Sequence, residues 1–533
     1  MRRFKTAKTD HVLKNCDLVI EGESFFRQTY KDSGCNFILG GEFDRYAEYL
    51  KTILMPFIES NVTCYVIFNG AMKADIEKRK VIHKKLIDDR DNMSPGDDKY
   101  YEPIFMKDVY KQVLEQLGIR YCVMEYDARE TLLKASEELS CPVLTNNIEQ
   151  CLLGMPCVIP GSLVYDNTKQ QISCKIQTPE AYKDHLRIYD NMKPIFLTIL
   201  DENGPLYDKI PEILGSKPKM PVGPLLYWIR GQKMAPAIDK LANMLDTETE
   251  RQAFRDSVDE LRKMIFCNRK PNIALRYLKG ETVLNHNGKY WFSNGVMTGK
   301  IASPYINLKN YGIFSGSWVI FQQNKRDAML PSLDIAMYGY SVLWNIQDNI
   351  TFIGRMRNSV YVGNVQPQDP FKKFINDALP GFNWNLLQSV PEDSWMLIIS
   401  LVYYISKANK EFIISAYSII LSYVMLGPVS EKVGLIKKSK IVSLNLDSDD
   451  PEDDTSFTYK DCLDAAKAMI DYFYEGNIKE NFDRGVLHDL AEFQHCLQHM
   501  NYLNKLCGEK IKCTNYYKTY NGTFIFNVLL QLK

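Results

Sequence analysis

The positions most able to do chemistry lie at the ends of apolar runs within the first 150 residues. Glu21 closes CDLVIEG, Asn69 closes CYVIFNG, Asp127 follows IRYCVMEY, and Asn147 with Glu149 follows CPVL. Hard divalent cations such as Mg2+ are held by oxygen donors, and carboxylates converging from several segments supply both the donors and the compensating charge. Glu21, Asp127 and Glu149 are the carboxylates among these positions and could supply such donors. Asn69 and Asn147 offer carbonyl oxygens without charge.

The four runs are short, apolar and rich in β-branched residues. Amphipathic stretches separate them, among them Tyr46 to Glu59 and Phe105 to Leu117, the latter with Val109, Val113, Leu114 and Leu117 on one face. Continuous apolar strands alternating with helices predict a parallel sheet covered on both faces. In such sheets functional groups gather at the carboxyl ends of the strands. The expected fold class is thus α/β: a parallel sheet flanked by helices, followed by a mainly α-helical C-terminal region.

After about Lys219 the pattern changes. Leu225 to Phe266 reads as several amphipathic helices, Asn272 to Ser317 is mixed, and helices dominate again from Phe371, ending in a segment that includes Val486 to Leu506. LDSDDPEDDTS (Leu446 to Ser456) reads as a solvated linker. The expected division is an α/β domain over 1–215, a helical region over 216–445, an acidic linker over 446–457 and a C-terminal helical segment over 458–533.

Composition is that of an ordinary soluble protein, 45% hydrophobic and 24% charged. Lysine plus arginine equals aspartate plus glutamate at 65 each, so any nucleic-acid surface must be local. Thirteen cysteines without a CxxC pair argue against a zinc site of ordinary spacing and predict reduced, mostly buried thiols. MRRFKTAKTDHVLKN has no apolar core for a secretory signal. The two apolar runs between Trp395 and Gly427 are each shorter than the ~20 residues of a spanning helix, which predicts a buried helical hairpin and no membrane association.

The strings around the strand ends resemble a known family. GGEFDRYAEYL (Gly40 to Leu50), YVIFNG (Tyr65 to Gly70), DAR (Asp127 to Arg129) and CPVLTNNIEQ (Cys141 to Gln150) are similar, in order and spacing, to the asteroid family of the flap-endonuclease/XPG branch of PIN-like nucleases. KPIFLTILDEN (Lys193 to Asn203) and HDLAEFQHCL (His488 to Leu497) extend the resemblance over nearly the whole chain, and the GG-acid-aromatic-Asp string is its most diagnostic piece. The resemblance implies a PIN/XPG-like domain in which two Mg2+ ions ~3.5–4 Å apart activate water and stabilise the leaving oxygen of a phosphodiester.

Matched position by position, most of the acids implied are replaced. Glu21 stands for the first aspartate, Asn69 for that of the D-G pair, and Arg129 for the second acid after Asp127. Asn147 and Glu149 occupy the paired aspartates, and Asn203 the last one. About seven acids holding two dications would leave a net charge of about −3. Here two dications joining three carboxylates and a guanidinium would bring the centre to about +2. Unit charges ~4 Å apart interact by ~4 kcal/mol at an effective dielectric of ~20, and a dication doubles this. Arg129 is therefore expected to replace the metal's structural job by pairing with Glu21 and Glu149. Alternatives stay open: Glu125 or Glu130 could stand in at Arg129, Asp201 or Glu202 beside Asn203, and one metal could sit on Glu21, Asp127 and Glu149.

The chain also departs from flap endonucleases in beginning Met1-Arg2-Arg3 where they begin Met-Gly, and in lacking a helix-hairpin-helix after Asn203. Lys78, Arg79, Lys80, Lys84 and Lys85 could present cations to a phosphate backbone; Glu77, Asp88 and Asp89 make a solvated helix face an equal reading. GVMTGK (Gly295 to Lys300) has the wrong spacing for a phosphate loop and reads as a turn. His488, Glu492, His495 and His499 share one helical face, read as a polar helix face and not as a metal site.

The resulting expectation is a catalytically impaired pseudo-nuclease acting through protein partners or nucleic acid, in a DNA-repair or signalling context, with no metal requirement. The competing one is a Mg2+-dependent structure-specific endonuclease on single-stranded, branched or 3′-overhang DNA. Family resemblance, with Arg2-Arg3 and Lys437-Lys438-Ser439-Lys440, favours the nucleus over the cytoplasm for an intracellular protein.

Overall fold

Leu18, Val19 and Ile20 are wholly buried, as a strand covered on both faces requires. They belong to the central strand of a sheet in the computed structural model, which describes residues 8–72, 93–94, 100–181, 187–201, 204–215, 222–266, 273–281, 290–315, 325–344, 348–353, 358–362, 369–407, 412–434, 458–474 and 482–532. The chain divides into two compact units, one of residues 1–25, 54–68 and 128–284 and the other of 26–53, 69–127 and 285–533.

In the first unit the strands are β1 (Lys8–Leu13), β2 (Asp17–Glu21), β3 (Thr63–Phe68), β4 (Val143–Leu144), β5 (Cys157–Val158), β6 (Val164–Asp166) and β7 (Gln171–Gln177). β2 runs parallel to β3 and β4, with Ile20 opposite Val66 and Leu144, and β4 runs parallel to β5. β7 extends the sheet antiparallel to β5, β6 and β1. The α/β class is as expected, but the sheet is mixed, parallel only at its centre. β7 escaped the sequence reading because it alternates: Ile172, Cys174 and Ile176 are buried while Ser173 and Lys175 are exposed. Such alternation marks an antiparallel strand with one solvated face. Helices α1 (Arg129–Leu139) and α2 (Ile148–Leu152) flank β4, and helices over 222–230, 234–242 and 248–266 follow, as the amphipathic pattern predicts.

The second unit is mainly helical. Its helices include α3 (Trp291–Met297), α4 (Pro304–Tyr311), α5 (Leu330–Leu343), α6 (Trp395–Lys407), α7 (Ile413–Val424), α8 (Arg484–Leu506) and α9 (Gly522–Leu532). Asp483 starts α8, its side chain accepting from the amides of Gly485 (2.8 Å) and Val486 (3.1 Å). α5 and α6 pack on α8, and α9 packs on α7. His488, Glu492, His495 and His499 are all buried, so the polar face they form is a seam inside the core. Glu492 is satisfied there by Arg326 (Nε–Oε1 2.7 Å, Nη2–Oε2 3.0 Å) and the Tyr404 hydroxyl (2.5 Å), with His488 Nε2 3.4 Å from Oε1. Burial alone would raise its pKa, but hydrogen bonding to His488, Arg326 and Tyr404 holds it at about 2.

The second apolar run needs a further correction. Helix continues from α7 through a π-helical stretch, Met425–Val429, so that Ile413–Val433 is 21 residues long, and its most apolar stretch of 18 residues has mean hydropathy 1.7. By length and composition it could cross a membrane, and half of its most apolar stretch is buried inside the protein. The wider π turn accommodates Pro428 within the helix. GVMTGK is helical to Met297, and only its end is a turn, where Gly299 takes φ +74°. Among the described residues every cysteine is a free thiol and most are buried. The acidic stretch 446–457 lies outside the described residues.

The diagnostic GGEFD string has a structural task in this unit. Gly41 (φ +108°) accepts from the amide of Gly522 (2.8 Å), and a Cβ on Gly522 would fall 1.9 Å from the Leu39 carbonyl oxygen. Only glycine allows these backbones to approach so closely. The buried carboxylates of Glu42 and Asp44 then accept from Thr523 (2.6 Å) and Asn521 (2.7 Å). Burial is the main cause pushing Asp44 up to about 7; the Asn521 bond opposes it and the Glu42 charge adds to it.

Candidate functional site

Because β2 and β4 are parallel neighbours, their carboxyl ends share one edge of the sheet. Glu21 ends β2 and Thr145 follows β4. The Thr145 hydroxyl donates to Glu21 Oε2, and Gln150 Nε2 donates to Oε1 at 3.2 Å. Ser24 Oγ lies 3.4 Å from Thr145 Oγ1. Glu21 is buried, which raises its pKa; the bonds from Thr145, Ser24 and Gln150 oppose that rise, while the nearby charge of Glu149 adds to it.

The segment after β4 folds around this carboxylate. The amide of Asn147 donates to Thr145 Oγ1 (2.9 Å), and Asn147 caps α2 by accepting from the amide of Glu149 (3.0 Å). Asparagine is among the best N-caps, so the residue at a metal-ligand position of the family pattern has a local structural role here. Arg129, at the first position of α1, donates from Nη1 to Glu149 Oε1 at 2.6 Å, and Asn147 Nδ2 lies 3.5 Å from Glu149 Oε2. Glu149, one of the two partners expected for Arg129, thus carries its ion pair.

Asn69 and Asp127 fall in the second unit. The amide of Gly70 donates to the Tyr126 carbonyl (2.8 Å) and that of Ala71 to the Glu125 carbonyl (2.9 Å). A Cβ on Gly70 would meet the Met124 carbonyl oxygen at 1.9 Å, so the glycine after Asn69 is required by this close approach. Lys107 Nζ donates to the Asn69 carbonyl at 2.9 Å, and Asp127 is exposed beyond the Met124–Tyr126 loop. Both residues considered as stand-ins at Arg129 are engaged: Glu125 accepts from Ser293, and Glu130 pairs with Lys134 at 2.5 Å. Asn203, Glu202 and the basic positions Lys78, Arg79, Lys80, Lys84 and Lys85 lie outside the described residues.

Two carboxylates, Glu21 and Glu149, therefore share the sheet edge with a guanidinium and a ring of neutral donors. Among the described residues no three His, Cys, Asp or Glu side chains gather closely enough to hold a metal ion. This donor set does not fit the two-ion centre that the resemblance implies. Thr145, Gln150 and Ser24 were missed in the sequence, although TNNIEQ sets neutral donors on both sides of the acid and amide positions.

Comparisons with known proteins bear on this arrangement. Residues 393–533 match the model of the Asteroid N-terminal domain. Single-strand DNA endonuclease ASTE1 from Homo sapiens is 24% identical over 233 residues, 40% of this chain and 33% of that protein. Its Danio rerio counterpart is 22% identical over 208 residues, 37% of this chain and 30% of that one. The chain thus spans about a third of the length of the curated relatives it matches. Among solved structures, the catalytic core of Rad2 in complex with DNA substrate is 11% identical with TM-score 0.27, covering 52% of this chain and 85% of that one. Flap endonuclease-1 from Methanococcus jannaschii is 13% identical with TM-score 0.26, covering 49% and 98%. The likeness rests on the sequence matches, and the family-model match includes the HDLAEFQHCL string: over residues 393–533 this chain is similar to the asteroid family.

Proposed function

We propose that this chain binds nucleic acid on an asteroid-type scaffold whose strand-end centre no longer supports metal-dependent phosphodiester cleavage. The observation that carries the proposal is the Arg129–Glu149 pair at 2.6 Å, a fixed cation on an acid that a metal would need. The neutral donors on Glu21 support the same reading, since they satisfy a buried carboxylate without an ion. The nucleic-acid part draws on the relatives, whose names describe single-strand DNA endonucleases. Protein partners are the other binding class open to a pseudo-nuclease.

The deciding experiment incubates purified chain with single-stranded and 3′-overhang DNA in Mg2+ or Mn2+, beside a Glu21→Ala/Asp127→Ala control. No cleavage above that control is expected. Metal-dependent cleavage that the control abolishes would overturn the proposal in favour of a structure-specific endonuclease. Electrophoretic mobility at two salt concentrations tests binding, which should weaken as salt rises. Absence of a shift even at low salt would remove nucleic acid and leave protein partners.

A further inference from the structure

α3, α4 and α5 gather an aromatic cluster that the strand-end site leaves unused. Trp344, which caps the end of α5, lies 5.0 Å from Phe292, 5.9 Å from Trp291 and 5.3 Å from Tyr340, ring centre to ring centre. Lys309 on α4 holds its ammonium 3.9 Å from the Phe292 ring centre and 5.8 Å from that of Trp344. Phe292 is buried beneath, whereas Trp291 and Trp344 keep part of their surface in solvent and Lys309 is exposed. Tyr290, before the start of α3, and Tyr311, at the end of α4, are 63% and 44% exposed. The cluster is tied to the strand-end loop, since Ser293 donates to Glu125 and Asn310 donates to the Tyr126 hydroxyl.

We propose that this cluster is a stacking platform for the bases of single-stranded nucleic acid, with Lys309 as its phosphate contact. The proposal rests on the nucleic-acid reading above and names the form of the ligand. Rigid indole faces stack on bases at little entropic cost, and each base–aromatic contact contributes ~1–3 kcal/mol. A duplex keeps its bases stacked on each other and could offer the platform only its backbone. Lys309, and Lys300 in the turn between α3 and α4, supply the complementary charge, while the Glu125 carboxylate is engaged by Ser293. An ammonium resting on an aromatic face is already partly stripped of water and needs only a rotamer change to reach a phosphate.

The test is a fluorescence-anisotropy titration of the full chain with a labelled oligothymidylate and with a labelled duplex at low salt. The native chain should bind the single strand more tightly than the duplex. Trp291→Leu and Trp344→Leu should each weaken single-strand binding about tenfold, and Lys309→Met severalfold. Tyr227→Ala, an aromatic 82% exposed in the first unit, should change nothing. Lys309→Met alters an exposed side chain, so it stays informative if a tryptophan variant misfolds. Native-like binding by Lys309→Met and by the folded tryptophan variants would overturn the platform and leave nucleic-acid binding standing. Failure of the native chain to bind either probe would overturn both.

Discussion

Replacing Arg129 by alanine removes the cation paired with Glu149 at the sheet edge. At ~4 Å and an effective dielectric of ~20 the attraction is ~4 kcal/mol. The two side chains are 29% and 26% exposed, so desolvation, screening and side-chain entropy return most of this and leave ~1 kcal/mol net. A second contribution follows from the neighbour. Glu149 already pushes the Glu21 pKa upward, and without Arg129 its charge acts on Glu21 undiminished. Together these give a loss of about 1–2 kcal/mol, or roughly 2–4 °C per kcal/mol for a unit of this size. Urea unfolding of Arg129→Ala, Glu149→Gln and the double variant measures the coupling, which should be about 1 kcal/mol and shrink at high salt. Arg129→Asp should lose more, because it sets like charges together, and should recover part of the loss in millimolar Mg2+. An unchanged melting temperature for Arg129→Ala, or strictly additive single variants, would refute the idea that arginine replaced the metal's structural job.

Other outcomes follow from the second unit. Arg326→Met leaves the buried Glu492 carboxylate without its cation and should cost ~3–5 kcal/mol in urea unfolding, most of it regained in Arg326→Met/Glu492→Met; a loss under ~1 kcal/mol would contradict this. Gly70→Ala forces a methyl onto the Met124 carbonyl and should cost more than ~2 kcal/mol by thermal melting. Asp44 ionises near pH 7 when folded but near its ordinary value of 3.8 when unfolded. Between these limits the folded state holds the extra proton, so stability from this group falls as pH rises, by on the order of 4 kcal/mol. Asp44→Asn should therefore cost less at pH 8 than at pH 5, and a pH-independent difference in melting temperature would count against the raised pKa.

The sequence by itself determined the parallel centre of the sheet, because continuous buried strands such as LVI have no other stable setting than between two layers. It also carries the replacements that the family resemblance implies, since Asn69, Arg129 and Asn147 are legible in the chain itself. The tertiary structure decided what those residues do instead. Asn147 became a helix cap and Arg129 the partner of Glu149, arrangements that depend on which helix begins where. The role of GGEFD was equally hidden: its acids meet Asn521 and Thr523, more than 470 positions away in the chain, and only chain packing brings such segments together. The histidine face of α8 carries the same lesson. Periodicity placed His488, Glu492, His495 and His499 on one stripe, but whether a polar stripe faces water or core depends on the partners across it. Arg326 and Tyr404, from distant segments, satisfy Glu492 and so allow that stripe to be buried.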